Sequence, residues 1–541
     1  MLIVGTGEFL MTKIVGFQSG HDVSYCVLKN GIPMIHEELE RFSRKKGQLG
    51  DGLQMFYKYF KQDVSDINFF SFGNLGGRSG RWKKECKDFL SDELMRKTCR
   101  KNQGKFFELS HHMSHAANAF FSSNFESSLI ITIDGGGNEL DGGTTACTIY
   151  KGYKNKIEKM QVIPIQNLNI GRTWEIITQS LGFSIGFPVG NQAGTLMAMA
   201  GMSDCQRYVG PIIDLIEGNY NVENSKVIMG KIFEKDHRIE QVKFDISHSL
   251  QFATELKIKE IIQKAINLYP SENLCLSGGC ALNSVMIGKI KEWFPKIKYI
   301  YIPPIPTDAG LSIGSAQYVW HQILNNPRIN WENNFTPYLG RHYYESEIIS
   351  SIKKYDFCTT KQETTDEEVL DLIANQKIIS IFGIGSESGR RALGNRSILA
   401  DPRSEIMKEL INKKVKHRQW FRPFAPSILR EEVKNWFERD EDSPYMSTVL
   451  KWKTTKSKKV PAVCHFDNSA RLQTVTKSDN PWFYKILKKW KNKTNIPILL
   501  NTSFNDSEPI VETPEHAIKC LLKTNIDYLY FTQNKTLVKK N

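Results

Sequence analysis

Short apolar runs separated by turn residues open the chain and predict β-strands. Residues 14–17, 23–28 and 32–36 are such runs, and they are rich in the β-branched and aromatic side chains that strands favour. Asn30-Gly31, between the second and third runs, is a tight-turn sequence. The pattern therefore predicts one strand followed by a β-hairpin.

The turn after the first predicted strand is polar and contains Gly20-His21-Asp22. A strand, a polar loop and a hairpin are typical of the opening of an actin-like or sugar-kinase-like domain, in which the first turn faces the active cleft. His21 is therefore a candidate catalytic residue. The alternative is a solvated loop histidine without a chemical role.

A helix pattern that carries two histidines follows further along the chain. His111 and His115 are four residues apart, so on a helix both imidazoles leave the same face and can meet one cation. The apolar run 129–133 predicts a buried strand ending at Asp134, where the glycines at 135–137 let the backbone approach a metal or a phosphate. The alternative is that the histidines cap or pack on an ordinary helix.

Two further strand ends supply glycines and a carboxylate. Residues 273–276 predict a strand, and Gly278-Gly279 then lead to Asn283 at the opening of a helix, which is a favourable site for an anion. Asp308 lies in a loop after the next predicted strand. Two histidines and two aspartates would form a site of nitrogen and oxygen ligands, suited to iron or another divalent transition metal.

Cationic side chains collect in the second half of the chain, after an aperiodic junction at 326–345. Arginine binds phosphate or carboxylate through parallel hydrogen bonds, so these residues predict a pocket for a highly anionic ligand such as ATP. The Walker sequence is absent, which excludes a P-loop enzyme. The alternative is that each arginine pairs with a surface carboxylate. The candidate residues are Arg391, Lys416, Arg422, Arg471, Asn501, Ser503 and Asn505.

Length and composition place the chain among multidomain globular proteins. Its 541 residues exceed one ordinary core, so two or three domains are expected. No run of about 18 apolar residues is present, so no membrane span is predicted. The ten cysteines include no CxxC pair, which favours a reducing, cytoplasmic setting. Residues 1–10 are interpreted as an extension before a second start at Met11.

The net charge of +14 changes the list of expected partners. It is compatible with nucleic acid or other anions, although the dispersed lysines are equally compatible with a coding bias. Anionic small molecules are favoured, and a polynucleotide stays open. The charged stretch 37–46 predicts a solvated helix face, 75–105 a surface insertion, and 215–245 a poorly patterned segment.

Nine motifs, in order along the chain, resemble the O-carbamoyltransferase family, which includes nodulation-factor, cephamycin and tobramycin carbamoyltransferases. The resemblance extends over nearly the whole chain from about Met11 and is highly specific at family level. The motifs are GHD at 20–22, HHMSHAANAF at 111–120, IDGGGNE at 133–139, GNQAG at 190–194, LSGGCALN at 276–283, PTDAG at 306–310, RALGNRS at 391–397, FRPFAPS at 421–427 and NTSFN at 501–505.

The resemblance implies an α/β protein of two domains. Residues 11–335 are expected to form an actin-like (ASKHA) domain similar to the enzyme that transfers threonylcarbamoyl to tRNA, and residues 345–541 a YrdC-like α/β domain. The YrdC-like domain is expected to convert carbamoyl phosphate and ATP into carbamoyl-adenylate with release of pyrophosphate. The actin-like domain then moves the carbamoyl group to an acceptor hydroxyl with release of AMP.

Motif positions also imply roles for individual residues. His21 is expected to be the catalytic residue beside the carbamoyl group. The expected metal ligands, with Fe(II) as the metal, are His111, His115, Asp134 and Asp308. The expected carbamoyl-adenylate cradle is Gly135, Gly136, Gly278, Gly279 and Asn283. ATP, with Mg²⁺, and carbamoyl phosphate are expected on Arg391, Lys416, Arg422, Arg471, Asn501, Ser503 and, more weakly, Asn505.

Two positions depart from the family pattern. Arg390 stands where the family usually has proline, and either adds charge to the phosphate pocket or faces solvent. Gly137 is an extra glycine after Asp134. Neither change removes an expected ligand, so the expected activity is retained.

The acceptor hydroxyl and the oligomeric state are left open by the sequence. An antibiotic, a sugar or another natural product is the first expectation, and the basic charge motivates a hydroxymethylated nucleotide or DNA as an alternative. A tRNA threonylcarbamoylation factor is a second alternative, because it uses the same two domain types. A nucleotide-binding regulator without catalytic activity is a third.

Overall fold

The computed structural model of the chain describes residues 12–60, 67–73, 106–140, 142–183, 191–218, 222–331, 335–356 and 358–541. The extension at 1–10, the insertion at 75–105 and Gly190 of the GNQAG motif, about which the sequence makes predictions, lie outside these ranges. Within them, the chain is a mixed α/β protein with three sheets. No helix in these ranges is both long and apolar enough to cross a bilayer.

The strands of the described ranges are β1 Lys13–Gln18, β2 Ser24–Lys29, β3 Ile32–Glu38, β4 Phe69–Phe72, β5 Phe106–Glu108, β6 Ser127–Asn138, β7 Thr144–Tyr153, β8 Lys156–Pro164, β9 Asn273–Ser277, β10 Tyr299–Tyr301, β11 Cys358–Lys361, β12 Ile379–Phe382, β13 Arg396–Ala400, β14 Ala425–Leu429, β15 Thr448–Lys451, β16 Ser469–Val475, β17 Ile498–Ser503, β18 Tyr528–Phe531 and β19 Thr536–Lys540.

The α-helices of the same ranges are α1 Leu39–Ser43, α2 Gly52–Tyr59, α3 His111–Ser122, α4 Ile170–Ser180, α5 Ala193–Met199, α6 Val209–Glu217, α7 Val222–Ile232, α8 Glu240–Leu268, α9 Ser284–Trp293, α10 Leu311–Tyr318, α11 Glu345–Lys353, α12 Asp366–Ala374, α13 Glu405–Lys414, α14 Val433–Trp436, α15 Thr454–Ser457, α16 Pro481–Thr494 and α17 Pro514–Lys523.

The first two sheets share one topology. Their orders are β3-β2-β1-β4-β5 and β8-β7-β6-β9-β10. In each, the first strand in sequence pairs antiparallel with the second and parallel with the fourth. The predicted hairpin is therefore present as β2 and β3, and the same unit occurs a second time around β6. The third sheet has nine strands, in the order β11-β19-β18-β12-β13-β17-β14-β16-β15.

Helices α3 and α10 pack closely between the two five-stranded sheets. A Cβ on Gly314 of α10 would lie 1.9 Å from the carbonyl oxygen of Ser114 in α3, and a Cβ on Gly16 of β1 would lie 1.9 Å from that of Ser312. Larger residues would push these backbones apart. The glycines thus allow α3, which carries His111 and His115, to approach the loop of Asp308 just before α10.

Three predicted segments differ from the structure. The charged stretch at 37–46 is not a solvated face: α1 is short, and Glu37, Glu38 and Arg41 are buried, since they contact the loop at 387–389 and Arg341. The poorly patterned segment 215–245 contributes to α6, α7 and α8. The strand at 129–133 continues to Asn138 as β6, with a bulge between Ile133 and Gly137.

Candidate functional site

The histidine pair lies on α3 and points into the space between the first two sheets. Both side chains are buried, and the Nε2 atoms of His111 and His115 are 3.1 Å apart. His112, the intervening histidine, instead places Nδ1 2.7 Å from Thr132 Oγ1 and Nε2 2.9 Å from the Thr145 carbonyl oxygen. The helical spacing thus directs two of the three imidazoles to one point.

Two carboxylates converge on the same point. Asp134 Oδ2 is 3.3 Å from His115 Nε2 and 3.9 Å from His111 Nε2, and Asp308 Oδ1 is 3.5 and 3.6 Å from the same nitrogens. One donor atom from each of the four residues lies within 4.8 Å of the others. Such separations fit donors arranged around one cation with bonds of about 2.1 Å. The donor set therefore fits a divalent transition metal.

The charges of the cluster are mutually dependent. Burial acts to lower the pKa of His115, but hydrogen bonds with Asp134 and Asp308 raise it to about 9. Burial acts to raise the pKa of Asp134, but His111 and His115 hold it well below its usual value. Two anionic carboxylates in a buried position require a cation, and a metal would supply it.

His21 lies beside this cluster, in the turn after β1. Its Nε2 is 3.3 Å from Asp308 Oδ2, and its side chain is 37% exposed. Burial acts to lower the pKa of His21, but the charges of Asp308, Asp22 and Asp134 raise it. An imidazole in contact with both solvent and the metal-type cluster is placed to exchange a proton with a molecule bound there.

The glycine-rich strand ends hold the carboxylate of Asp134. Gly279 and Gly135 donate backbone N–H groups to its two oxygens at 2.7 and 2.5 Å. Gly278 has φ +95°, and a Cβ there would lie 2.1 Å from the Ile133 carbonyl oxygen, so only glycine fits. The contacts of Gly278 and Gly279 with the segment of Asp134 are a structural reason for these glycines that involves no nucleotide. A role of the glycines in binding adenylate stays a prediction.

Asn283 has a structural contact of its own. It caps α9, because its Oδ1 accepts the N–H of Met286 at 3.1 Å, and its Nδ2 donates to Gln251 at 2.8 Å. The side chain is therefore fixed at the helix N-terminus, as the sequence pattern predicts. A direct contact between Asn283 and a ligand stays a prediction.

The predicted cationic residues assemble around one edge of the nine-stranded sheet. Burial, followed by the charges of Arg471, Arg390 and Arg422, lowers the pKa of Arg391 well below its usual value. Burial also lowers the pKa of Arg422 and Arg471 to about 10. None of these three arginines forms an ion pair with a carboxylate in the described part of the chain. All three side chains are half-buried, and clustered cations of this kind favour a highly anionic ligand.

Hydrogen bonds from the polar members of this group fix the pocket. Lys416 Nζ donates to Ser503 Oγ at 3.2 Å and to Asn505 Oδ1 at 2.6 Å. Asn501 donates to the carbonyl of Ala392 at 3.1 Å and to Ser427 Oγ at 3.0 Å. Asn501 and Ser503 both belong to β17, so one strand carries both side chains.

The sequence interpretation missed several cations that line the cavity, and Arg418 and Lys46 are two of them. Burial lowers the pKa of both groups. Arg418 lies two residues after Lys416, in the same basic segment, and could have been found by its position. Lys46 comes from the N-terminal half, and only the fold brings it to this pocket.

One cavity of ≈ 1480 Å³ connects the two groups of residues. Gly278, His111 and His115 lie behind its wall. Of the predicted site residues, those that line it are His21, Asp134, Gly135, Gly136, Gly279, Asn283, Asp308, Arg391, Lys416, Arg422, Arg471, Asn501, Ser503 and Asn505.

Comparison with known families identifies the chain. Residues 82–317 match the family described as carbamoyltransferase N-terminus, and residues 370–540 match carbamoyltransferase C-terminus. The chain belongs to the carbamoyltransferase family. It is thus an enzyme that transfers carbamoyl groups, which confirms the resemblance and excludes the non-enzymatic regulator.

Individual relatives cover most of this carbamoyltransferase. An uncharacterized protein, sll1178, of Synechocystis is 30% identical, with 96% of this chain and 95% of that protein aligned. Nodulation protein NolO of Bradyrhizobium diazoefficiens is 31% identical, with 78% and 77% aligned. Among solved structures, HypF of T. kodakarensis is 13% identical with a TM-score of 0.37, over 59% of this chain and 48% of that one.

Proposed function

We propose that this carbamoyltransferase is an ATP-dependent O-carbamoyltransferase that works through carbamoyl-adenylate. The observation that carries the proposal is one shared cavity. It is lined by half-buried arginines that have no carboxylate partner among the described residues, and by His21 and Asp308 at the edge of the candidate metal cluster. The cationic part suits two mutually repelling anions, carbamoyl phosphate and ATP with Mg²⁺. The other part suits transfer to a hydroxyl.

The first half-reaction is assigned to the cationic part of the cavity. Arg391, Arg422 and Arg471 neutralise the phosphate groups, and Lys416 is oriented by Ser503 and Asn505. Carbamoyl-adenylate keeps only the carbamoyl group of carbamoyl phosphate. The balanced step therefore consumes one water and releases one phosphate in addition to pyrophosphate.

The second half-reaction is assigned to the cluster and to His21. His111, His115, Asp134 and Asp308 would hold the metal, with Fe(II) as our proposal for this nitrogen and oxygen donor set. When bound, the metal supplies Lewis acidity that polarises the carbamoyl carbonyl or the adenylate phosphate. His21 accepts the proton of the acceptor hydroxyl at Nε2 as that oxygen attacks the carbamoyl carbon and AMP leaves.

The fold supports a finer assignment to domain types. The repeated five-stranded topology is compatible with an actin-like domain, proposed for residues 11–335, and the nine-stranded sheet is assigned to a YrdC-like domain at 345–541. The carbamoyltransferase family favours carbamoyl over threonylcarbamoyl as the transferred group. A cytoplasmic location stays a prediction.

The acceptor is proposed to be a hydroxyl of a sugar, an antibiotic or another natural product. The net charge of +14 favours a second candidate, a hydroxymethylated nucleotide or DNA. Because salt screens charge–charge attraction, the Michaelis constant of an anionic acceptor should rise with ionic strength. A salt-insensitive Michaelis constant for a neutral sugar or antibiotic that is carbamoylated would argue against the nucleotide.

The test separates the two half-reactions. Purified protein is incubated with ATP and carbamoyl phosphate, with water standing in for the acceptor hydroxyl. Pyrophosphate reports adenylate formation and AMP reports transfer. His115→Ala is expected to retain pyrophosphate formation and lose transfer, whereas Arg391→Ala is expected to lose both. Arg403→Ala, outside the cavity, is the control. If both site variants keep full activity, the assignments are wrong.

A further inference from the structure

An ion pair joins the turn of His21 to the loop that carries Arg391. Nη2 of Arg390 donates to both carboxylate oxygens of Asp22, each at 2.9 Å. The partners are 368 residues apart in sequence. Asp22 is 8% exposed and Arg390 is 36% exposed. Of the two expectations for Arg390, simple exposure to solvent is wrong. Arg390 lines the cavity beside Arg391, as the other expectation has it, but Asp22 neutralises its charge there.

The Asp22 end of the pair lies in a turn of uncommon backbone conformation. Gly20 has φ +102° and Asp22 has φ +50°, and aspartate reaches the left-handed region at some cost. His21, between them, contacts Asp308 at 3.3 Å. The position of the His21 imidazole thus depends on a turn that its neighbours must hold in place.

The Arg390 end is held rigidly. The N–H of Gly389 donates to Glu38 Oε1 at 2.7 Å, and its carbonyl accepts from Arg41 Nη2 at 2.6 Å. A Cβ on Gly389 would lie 2.7 Å from the carbonyl oxygen of Pro304. The loop is therefore clamped against the N-terminal half, and its next residue but one, Arg391, lines the cavity.

We propose that Arg390 is a positioning residue that sets the placement of the His21 turn for carbamoyl transfer. Arg390 itself is not required to touch substrate: through Asp22 it fixes His21 relative to the loop of Arg391. This inference rests on the two half-reactions proposed above. Loss of the ion pair should impair the transfer step and spare adenylate formation, because Arg391 and its clamped loop stay in place.

The test compares Arg390→Gln, Asp22→Asn and the double variant with Arg403→Gln. Arg403 is a matched control, because it is also 36% exposed, pairs with a buried aspartate, Asp401, and lies outside the cavity. Carbamoyl-phosphate-dependent ATP–pyrophosphate exchange reports adenylate formation. AMP release, with water standing in for the acceptor hydroxyl, reports carbamoyl transfer from the adenylate. Hydrogen–deuterium exchange of residues 19–23 reports the turn without turnover.

In the two single variants we expect pyrophosphate exchange within about 3-fold of wild type and AMP release reduced about 10- to 100-fold, the usual cost of small misplacements in active sites. The amides of 19–23 should exchange faster. The double variant should lose no more than either single variant, since one interaction is removed, and Arg390→Lys should restore part of the AMP release.

The inference is overturned if Arg390→Gln matches Arg403→Gln in its ratio of AMP release to pyrophosphate exchange, or if hydrogen exchange at 19–23 is unchanged. If wild type and Arg403→Gln show neither pyrophosphate exchange nor AMP release, the proposed function itself is wrong. In that case, hydrogen exchange by itself decides whether the ion pair positions the turn.

Discussion

Gly137 has no side chain, and this makes room for His111 in the candidate metal cluster. It lies in β6, opposite Thr145, and a Cβ there would be 2.3 Å from Cδ2 of His111. The additional glycine of the Asp-Gly-Gly-Gly segment is thus explained by the histidine packed against it. The close approach brings α3 and β6, and with them His111 and Asp134, within reach of one cation.

Gly137→Ala is expected to displace His111 or the strand. Overpacking of this kind costs about 1–3 kcal/mol of the free energy of unfolding, and the affinity of the cluster for a divalent metal should fall as well. Denaturant unfolding and metal titration measure the two effects.

Gly210→Ala, on α6, is the matched control, because a Cβ there meets nothing within 4 Å. It should stabilise the protein by about 0.4–1 kcal/mol through reduced freedom of the unfolded chain. Equal behaviour of the two variants would contradict the packing explanation.

At the scale of elements, helix α3 and the short segment after α10 are packed together. His321, in the π-helical turn Val319–Ile323, is buried and packs against Phe121 of α3, with ring centroids 4.5 Å apart and the ring planes tilted by 34°. Burial, followed by the charge of Arg328, lowers the pKa of His321 to about 4. The neutral imidazole is therefore the form that fits this interface.

This pKa predicts a loss of stability in acid. The pKa of His321 is about 6.5 when unfolded and about 4 when folded, so protonation favours unfolding. The contribution of neutral His321 to the free energy of unfolding is fully present above pH 6.5 and is lost as the pH falls through 4. From about 1.4 kcal/mol per pKa unit, the loss is on the order of 3 kcal/mol.

His321→Gln should flatten the dependence of the free energy of unfolding on pH between 6.5 and 4, measured by denaturant titration at several pH values. His417→Gln is the control, since the side chain of His417 is 53% exposed. An unchanged pH slope in His321→Gln would show that other groups cause the acid sensitivity.

At the scale of the whole molecule, the two proposed half-sites open into one cavity. Carbamoyl-adenylate is easily hydrolysed, so a shared cavity would protect it from solvent. Residues from both halves close this space: Arg44 of the N-terminal half donates to the Ile510 carbonyl oxygen at 2.8 Å, and Arg422 donates to Thr195 Oγ1 at 2.6 Å.

A mixture of His115→Ala and Arg391→Ala tests this arrangement. The first variant should make adenylate that it cannot use, and the second should lack adenylate to transfer. Because the intermediate would have to cross water between molecules, the mixture should recover less than about a tenth of wild-type AMP release. Full recovery would show that the adenylate diffuses freely.

Local sequence patterns determined many of the elements and the placement of several candidate residues. The 3.6-residue helical period puts His111 and His115 on one face, and the alternation of apolar runs with Asn30-Gly31 produces the first hairpin. These features depend on neighbours within a few residues, so they could be predicted. The anion-binding pocket around Arg391 was predicted because arginine, glycine and amide residues recur near strand ends.

Only the tertiary structure decided which distant groups meet. The sequence did not indicate that Arg390 pairs with Asp22 or that Lys46 reaches the cationic pocket, because partners hundreds of residues apart leave no local period. Burial of Arg41 was missed for the same reason: a charged helix looks solvated until another segment packs on it. The physical cause is that chain topology, rather than local propensity, determines the long-range contacts between charged groups.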